Sequence, residues 1–123
     1  MKVREINNIG QPMTGPDGTP LGGVEIEWLL CDAAGMPAGA IDVETRSVVT
    51  PVPAYSTTSA TNVDGGLQVG EFRCSGLWPT TRASNQVFYR CRVSLDGWPV
   101  VIAPISDLEG PLKWSDFIAG NAV

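Results

Sequence analysis

The sequence predicts an all-β fold, an antiparallel β-sandwich of about seven strands. Fourteen Gly and ten Pro, about a fifth of the 123 residues, are spread along the chain, so turn-formers separate many short apolar runs. Two of those runs, residues 24–30 and 87–93, alternate with a period of two, the repeat of a strand with one buried face. The hydrophobic fraction is 43% and the charged fraction 17%, a balance that supports a core rather than disorder. A chain of this length hides roughly two thirds of its unfolded surface on folding. One domain over residues 1–123 therefore needs no metal or crosslink to hold it.

The elements follow in order. Residues 3–6 read as a short first strand. Residues 10–22 are rich in Gly and Pro and include Asp17-Gly18, so they form an extended turn-rich loop. The clearest strand follows. Val24, Ile26, Trp28 and Leu30 share its core face, and Glu25, Glu27 and Leu29 share the other. Residues 43–52 are β-branched, and Pro51 and Pro53 confine them to a sheet edge. The first strand is the other expected edge. Residues 55–62 and 67–74 are expected to pair as a hairpin across Asp64-Gly65-Gly66. In residues 87–93, Val87, Tyr89, Cys91 and Val93 face one way and Phe88, Arg90 and Arg92 the other. Asp96-Gly97 turns the chain into a nearly all-apolar strand over 98–105. Residues 106–123 form a tail in which Leu112, Phe117 and Ile118 make a brief helical turn. That turn is too short to stand alone and must dock.

Composition also excludes chemistry. There is no histidine, which removes the usual Ser-His-Asp and Cys-His nucleophiles and the commonest ligand of catalytic zinc. Glu25 and Glu27 lie about 7 Å apart along one strand face, a tolerable spacing for an inverting glycosidase pair. Alternating Glu is, however, what any half-solvated strand carries, and that is the reading adopted. Asp64-Gly65-Gly66 and Asp107-x-Glu109 lack the alternating ligands of a calcium loop and read as turns. No metal, no cofactor and no catalytic residue is expected.

The net charge of -5 is wrong for nucleic acid, and Arg90, Arg92, Arg73 and Arg82 are the only basic grouping. No apolar leader precedes residue 10, and no run approaches the ~20 residues of a membrane span. The expectation is a soluble protein made in the cytoplasm. Cys31, Cys74 and Cys91 fit no zinc spacing. They are either three buried thiols, or Cys74 and Cys91 are crosslinked between neighbouring strands, which geometry decides.

Of the four tryptophans, Trp28 belongs to the core face of its strand. Trp78 and Trp98 stand beside prolines at turns or strand starts, and Trp114 lies in the tail. Trp78 and Trp114 either pack inside the domain or contact a partner.

Gly18-Thr19-Pro20-Leu21, followed by Gly23, Val24, Ile26 and Trp28, resembles the opening of prealbumin-like or carboxypeptidase-regulatory-like domains. Thr61-Asn62-Val63-Asp64-Gly65 and Leu77-Trp78-Pro79 are similar to that family's hairpin and following turn. The last third resembles the variant found in bacteriophage fibre and appendage proteins. Its pieces are Tyr89 to Val93, Asp96-Gly97, Val100 to Ile105, and Gly110-Pro111-Leu112-Lys113-Trp114. Residues 32–53 depart from it, being longer and richer in proline.

The resemblance implies a module without catalytic residues that attaches, spaces or adheres. It would be a fibre-attachment, tail or head-decoration part of a virion, assembling with other virion proteins and with copies of itself. Trp78, Leu112, Trp114 and Phe117 are then the interface candidates, and the loop 10–22 and the tail are the arms that reach a neighbour. The alternative is a carbohydrate- or surface-binding module that stacks a glycan on exposed aromatics.

Overall fold

Alternating side chains and scattered turn-formers do produce an all-β sandwich. The computed structural model describes residues 3–49, 55–63, 66–95 and 97–119. Among them are nine strands, one α-helix and a single 3-10 turn at Thr80–Arg82. The strands and the helix are β1 (Arg4–Asn7), β2 (Glu25–Cys31), β3 (Ala40–Ile41), β4 (Val48–Val49), β5 (Tyr55–Thr58), β6 (Arg73–Leu77), β7 (Phe88–Val93), β8 (Val101–Ala103), β9 (Leu112–Lys113) and α1 (Trp114–Ile118). One sheet has the order β5-β2-β7-β8 and the other β6-β1-β9, while β3 and β4 pair as a separate ribbon.

The two periodic segments form the centre of the larger sheet. β2 and β7 are antiparallel, and Ile26, Trp28 and Leu30 stand opposite Val93, Cys91 and Tyr89. All six are buried, so the cross-strand pairs that join the strands also build one wall of the core. Leu29 departs from the alternation and is buried as well. Both faces of β2 are covered at that end.

The smaller sheet is assembled from distant segments. β1 runs antiparallel to β6 and parallel to β9, so the first strand is central and not an edge. Its register slips between Arg4↔Leu77 and Ile6↔Cys74, where β6 carries one extra residue. Gly76 sits in that slip at φ 84° and supplies the left-handed conformation that a bulge of this kind requires. Beyond β1, the buried Asn8 continues the ladder with its side chain. It donates to the Gly70 carbonyl at 3.0 Å and accepts from the Phe72 N–H at 2.6 Å.

Several middle elements differ from expectation. Residues 43–52 do not make one edge strand. Asp42 accepts hydrogen bonds from the backbone N–H groups of Glu44 and Thr45, and this Asx turn overrides the β-branched run and folds it into the β3–β4 ribbon. Residues 50–52 lie outside the described set. The expected hairpin of 55–62 with 67–74 is replaced by a crossing between sheets, since β5 pairs with β2 and β6 with β1. Asp64 and Gly65, its expected turn, lie outside the described residues, as does Asp96. The apolar run 98–105 contributes only the three-residue β8, because Pro99 and Pro104 carry no backbone donor and bound it.

The two expected arms are packed instead. Loop 10–22 folds back through Met13 N–H to Gly70 O and Leu21 N–H to Met13 O, with Met13 buried. Gly22 touches the chain at Ala60, where a Cβ would lie 2.5 Å from the carbonyl oxygen, so only glycine fits. The tail supplies β9 and then α1, which bridges the sheets. Phe117 meets Trp28 of β2 edge to face at 5.0 Å, and Trp114 meets Phe72 at 5.3 Å.

Candidate interaction surface

Trp78, Leu112, Trp114 and Phe117 expose between 0% and 6% of their surface and belong to the core. As anchors for a partner they are therefore corrected. A short tail can bury that much apolar surface only by docking, and here it docks on its own chain. Trp78 is held by two bonds: its indole N–H donates to Asp42 Oδ2 at 3.0 Å, and its carbonyl accepts from the Tyr89 hydroxyl at 2.8 Å.

The other expectations sort as follows. Glu25 is exposed and Glu27 half-buried on the outward face of β2, where Glu27 stands opposite Ser56 and Arg92. None of the concavities described below includes either carboxylate. The arginines do not cluster. Arg82 is buried against Asp42, Arg73 pairs with Glu5 at 3.4 Å, Arg90 donates to the Gly35 carbonyl at 2.8 Å, and Arg92 is exposed. Among the described residues, no group of three or more His, Cys, Asp or Glu is placed to hold a metal ion.

All three cysteines are free and buried. Cys74 and Cys91 lie on β6 and β7 in different sheets, so they are not on neighbouring strands of one sheet, and both are free. Burial pushes the Cys74 thiol up to about 11. It pushes Cys91 up to about 12, with the nearby Trp114 indole N–H working weakly in the other direction.

The most heavily engaged polar group was not prominent in the sequence. Asp42 is fully buried. Its carboxylate accepts from Arg82 Nε and Nη2, both at 3.2 Å, besides Trp78 and the turn N–H groups of Glu44 and Thr45. Arg82 also reaches Glu44 at 3.0 Å. These bonds, the Arg82 ion pair first, hold the Asp42 carboxyl well below the usual carboxylate range. The one available signal was a lone carboxylate inside the apolar stretch Ala40-Ile41-Asp42-Val43. Its partners lie 36 and 40 residues away, which no local pattern reveals.

Asp42 faces inward, and its neighbours face out. Ile41 is 47% exposed and Val43 51%, and Val48, the register partner of Ile41, is 71% exposed. The ribbon is fastened to the body by Val43 N–H to Arg82 O and Ser84 N–H to Ile41 O, with Ala40 buried in the core and Val49 packed against it. Beside it lies a shallow concavity of about 430 Å³ lined by Gly39, Ala40, Ile41, Val48, Ser84 and Asn85. Three β-branched side chains thus stand in water on a ribbon whose turn is locked by a buried ion pair. Exposed β-branched side chains beside a turn held by a buried ion pair suit contact with another protein surface.

A second apolar concavity lies between β7, β8 and α1, where Trp98 stacks on Trp114 at 5.4 Å. Compared with known proteins, the chain matches no family model, no curated sequence and no solved structure.

Proposed function

We propose that the protein is a non-catalytic structural module that works through protein–protein contacts, assembling with copies of itself and with other proteins of a phage particle. The carrying observation is the β3–β4 ribbon, which exposes Ile41, Val43 and Val48 beside a turn anchored by the buried Asp42–Arg82 pair. An ordered apolar ribbon loses little conformational freedom on binding, so most of its burial counts toward association. The virion assignment rests on the resemblance of the prealbumin-like segments and of the last third to phage fibre and appendage domains. The glycan-binding alternative has less support, since Trp28, Trp78 and Trp114 are buried and Trp98 is half-covered by its stack.

The test is solution mass by light scattering over a concentration series, for the wild type and for Val48→Lys and Ile41→Lys. Both positions are exposed, so folding should be nearly unaffected, within about 0.5 kcal/mol. A concentration-dependent oligomer that either lysine disperses is the expected result. A mass indifferent to both substitutions would remove the ribbon as the contact surface.

A further inference from the structure

The Trp98-Pro99 pair has no part in the ribbon, yet it helps to line an apolar concavity. Its lining comes from three separate elements: Cys91 and Val93 of β7, Val101 of β8, and Trp114 and Ile118 of α1. Trp98 closes one side, its ring nearly parallel to that of Trp114, with an interplanar angle of 21°. The cavity measures about 210 Å³. It opens to solvent beside Pro99 and Ile118, both exposed. Its inner walls are committed elsewhere. Cys91 is a core residue of β7, Trp114 packs on Phe72, and Pro99 stiffens the chain beside Trp98. Closing the space would require moving residues that the core already holds.

We propose that this cavity is a binding site for a neutral, single-ring apolar molecule, aromatic or alicyclic. Volume sets the size, since an apolar cavity of about 150 Å³ is enough for benzene. The lining sets the class. It contains no charged side chain and no hydroxyl, amide or carboxylate side chain. A sugar or an ion entering it would lose its water and find only two indole N–H groups and a thiol as polar groups of the lining side chains. A flat apolar ring instead gains burial and the stacked indole wall. This inference is independent of the ribbon and of any assembly.

The experiment is a titration of the full chain with toluene, followed by the indole N–H signals of the four tryptophans in a ¹⁵N–¹H spectrum. Methyl glucoside and benzoate are the control probes. Toluene should move the Trp98 and Trp114 signals saturably and leave Trp78, bonded to Asp42, in place. Ile118→Trp fills the cavity from its exposed side, and Trp98→Ala removes the stacking wall. Each should weaken toluene binding by ~tenfold or more, the loss of roughly one aromatic contact. An unmoved Trp78 signal reports that each variant is folded. Three results would overturn the site: no saturable shift with toluene, toluene binding unchanged by Ile118→Trp, or equal shifts with methyl glucoside or benzoate.

Discussion

Replacing Phe117 by alanine tests whether the tail is an appendage or part of the core. The side chain is fully buried and meets Trp28 edge to face at 5.0 Å. Removing a buried phenylalanine ring costs about 3–5 kcal/mol through lost transfer energy and the cavity left behind. A domain of this kind has only about 5–15 kcal/mol in total. The helix that carries Phe117 has five residues and no side-chain cap, so it cannot hold its shape once its anchor is gone. With a urea slope of about 1–3 kcal/mol/M, the unfolding midpoint should fall by roughly 2 M. The assay is urea unfolding followed by tryptophan fluorescence, which reports on Trp28 and Trp114 directly. A chain ending at Pro111 loses Leu112, Trp114 and Phe117 together, three core side chains, and should show no cooperative transition. The reasoning is refuted if Phe117→Ala costs under ~1 kcal/mol, or if the shortened chain still unfolds cooperatively. Either result would return the tail to the role of a reaching arm.

Three further predictions concern polar groups and backbone. The Asp42 carboxyl is depressed in the folded state, and that of Glu71 also, through the backbone N–H groups of Gln68 and Gly10. Unfolded carboxyls of these types titrate near ~4, so the stabilisation is complete above that pH and is lost as the pH falls toward the folded values. Urea midpoints should drop between pH 6 and pH 3, and Asp42→Asn should be weaker at pH 6 but lose less over that interval. A wild-type midpoint flat across it would show the carboxylate is not held as described. The buried thiols should resist a disulfide reagent at pH 8 in the native state and react in full in denaturant, because Cys74 and Cys91 are pushed far above that pH. Rapid native labelling of either would place it at the surface. Gly76→Ala meets no atom within 4 Å, so its cost is the left-handed backbone alone, about 1–2 kcal/mol by chemical denaturation. No loss would mean that β6 carries its bulge elsewhere.

What the sequence determined by itself is local. Period-two alternation placed Val24, Ile26, Trp28 and Leu30, and Val87, Tyr89, Cys91 and Val93, on buried faces, because the strand repeat acts within a few residues. The apolar run 98–105 and the brief apolar pattern near the end marked β8 and α1, with boundaries only approximate. The all-β class followed from the same grammar. What only the tertiary structure decided is who meets whom. β1 became central because β9, more than a hundred residues later, pairs with it. Neither Trp78 nor Trp114 carried a mark of its environment, since burial depends on contacts from other segments: Asp42 for the one, Phe72 and Trp98 for the other. The exposed ribbon arose because Asp42 found Arg82 forty residues away, leaving Ile41, Val43 and Val48 outside. Apolar residues in a sequence announce a core. Closure of the sandwich decides which of them enter it, because burial is a property of the assembled surfaces and not of the strand.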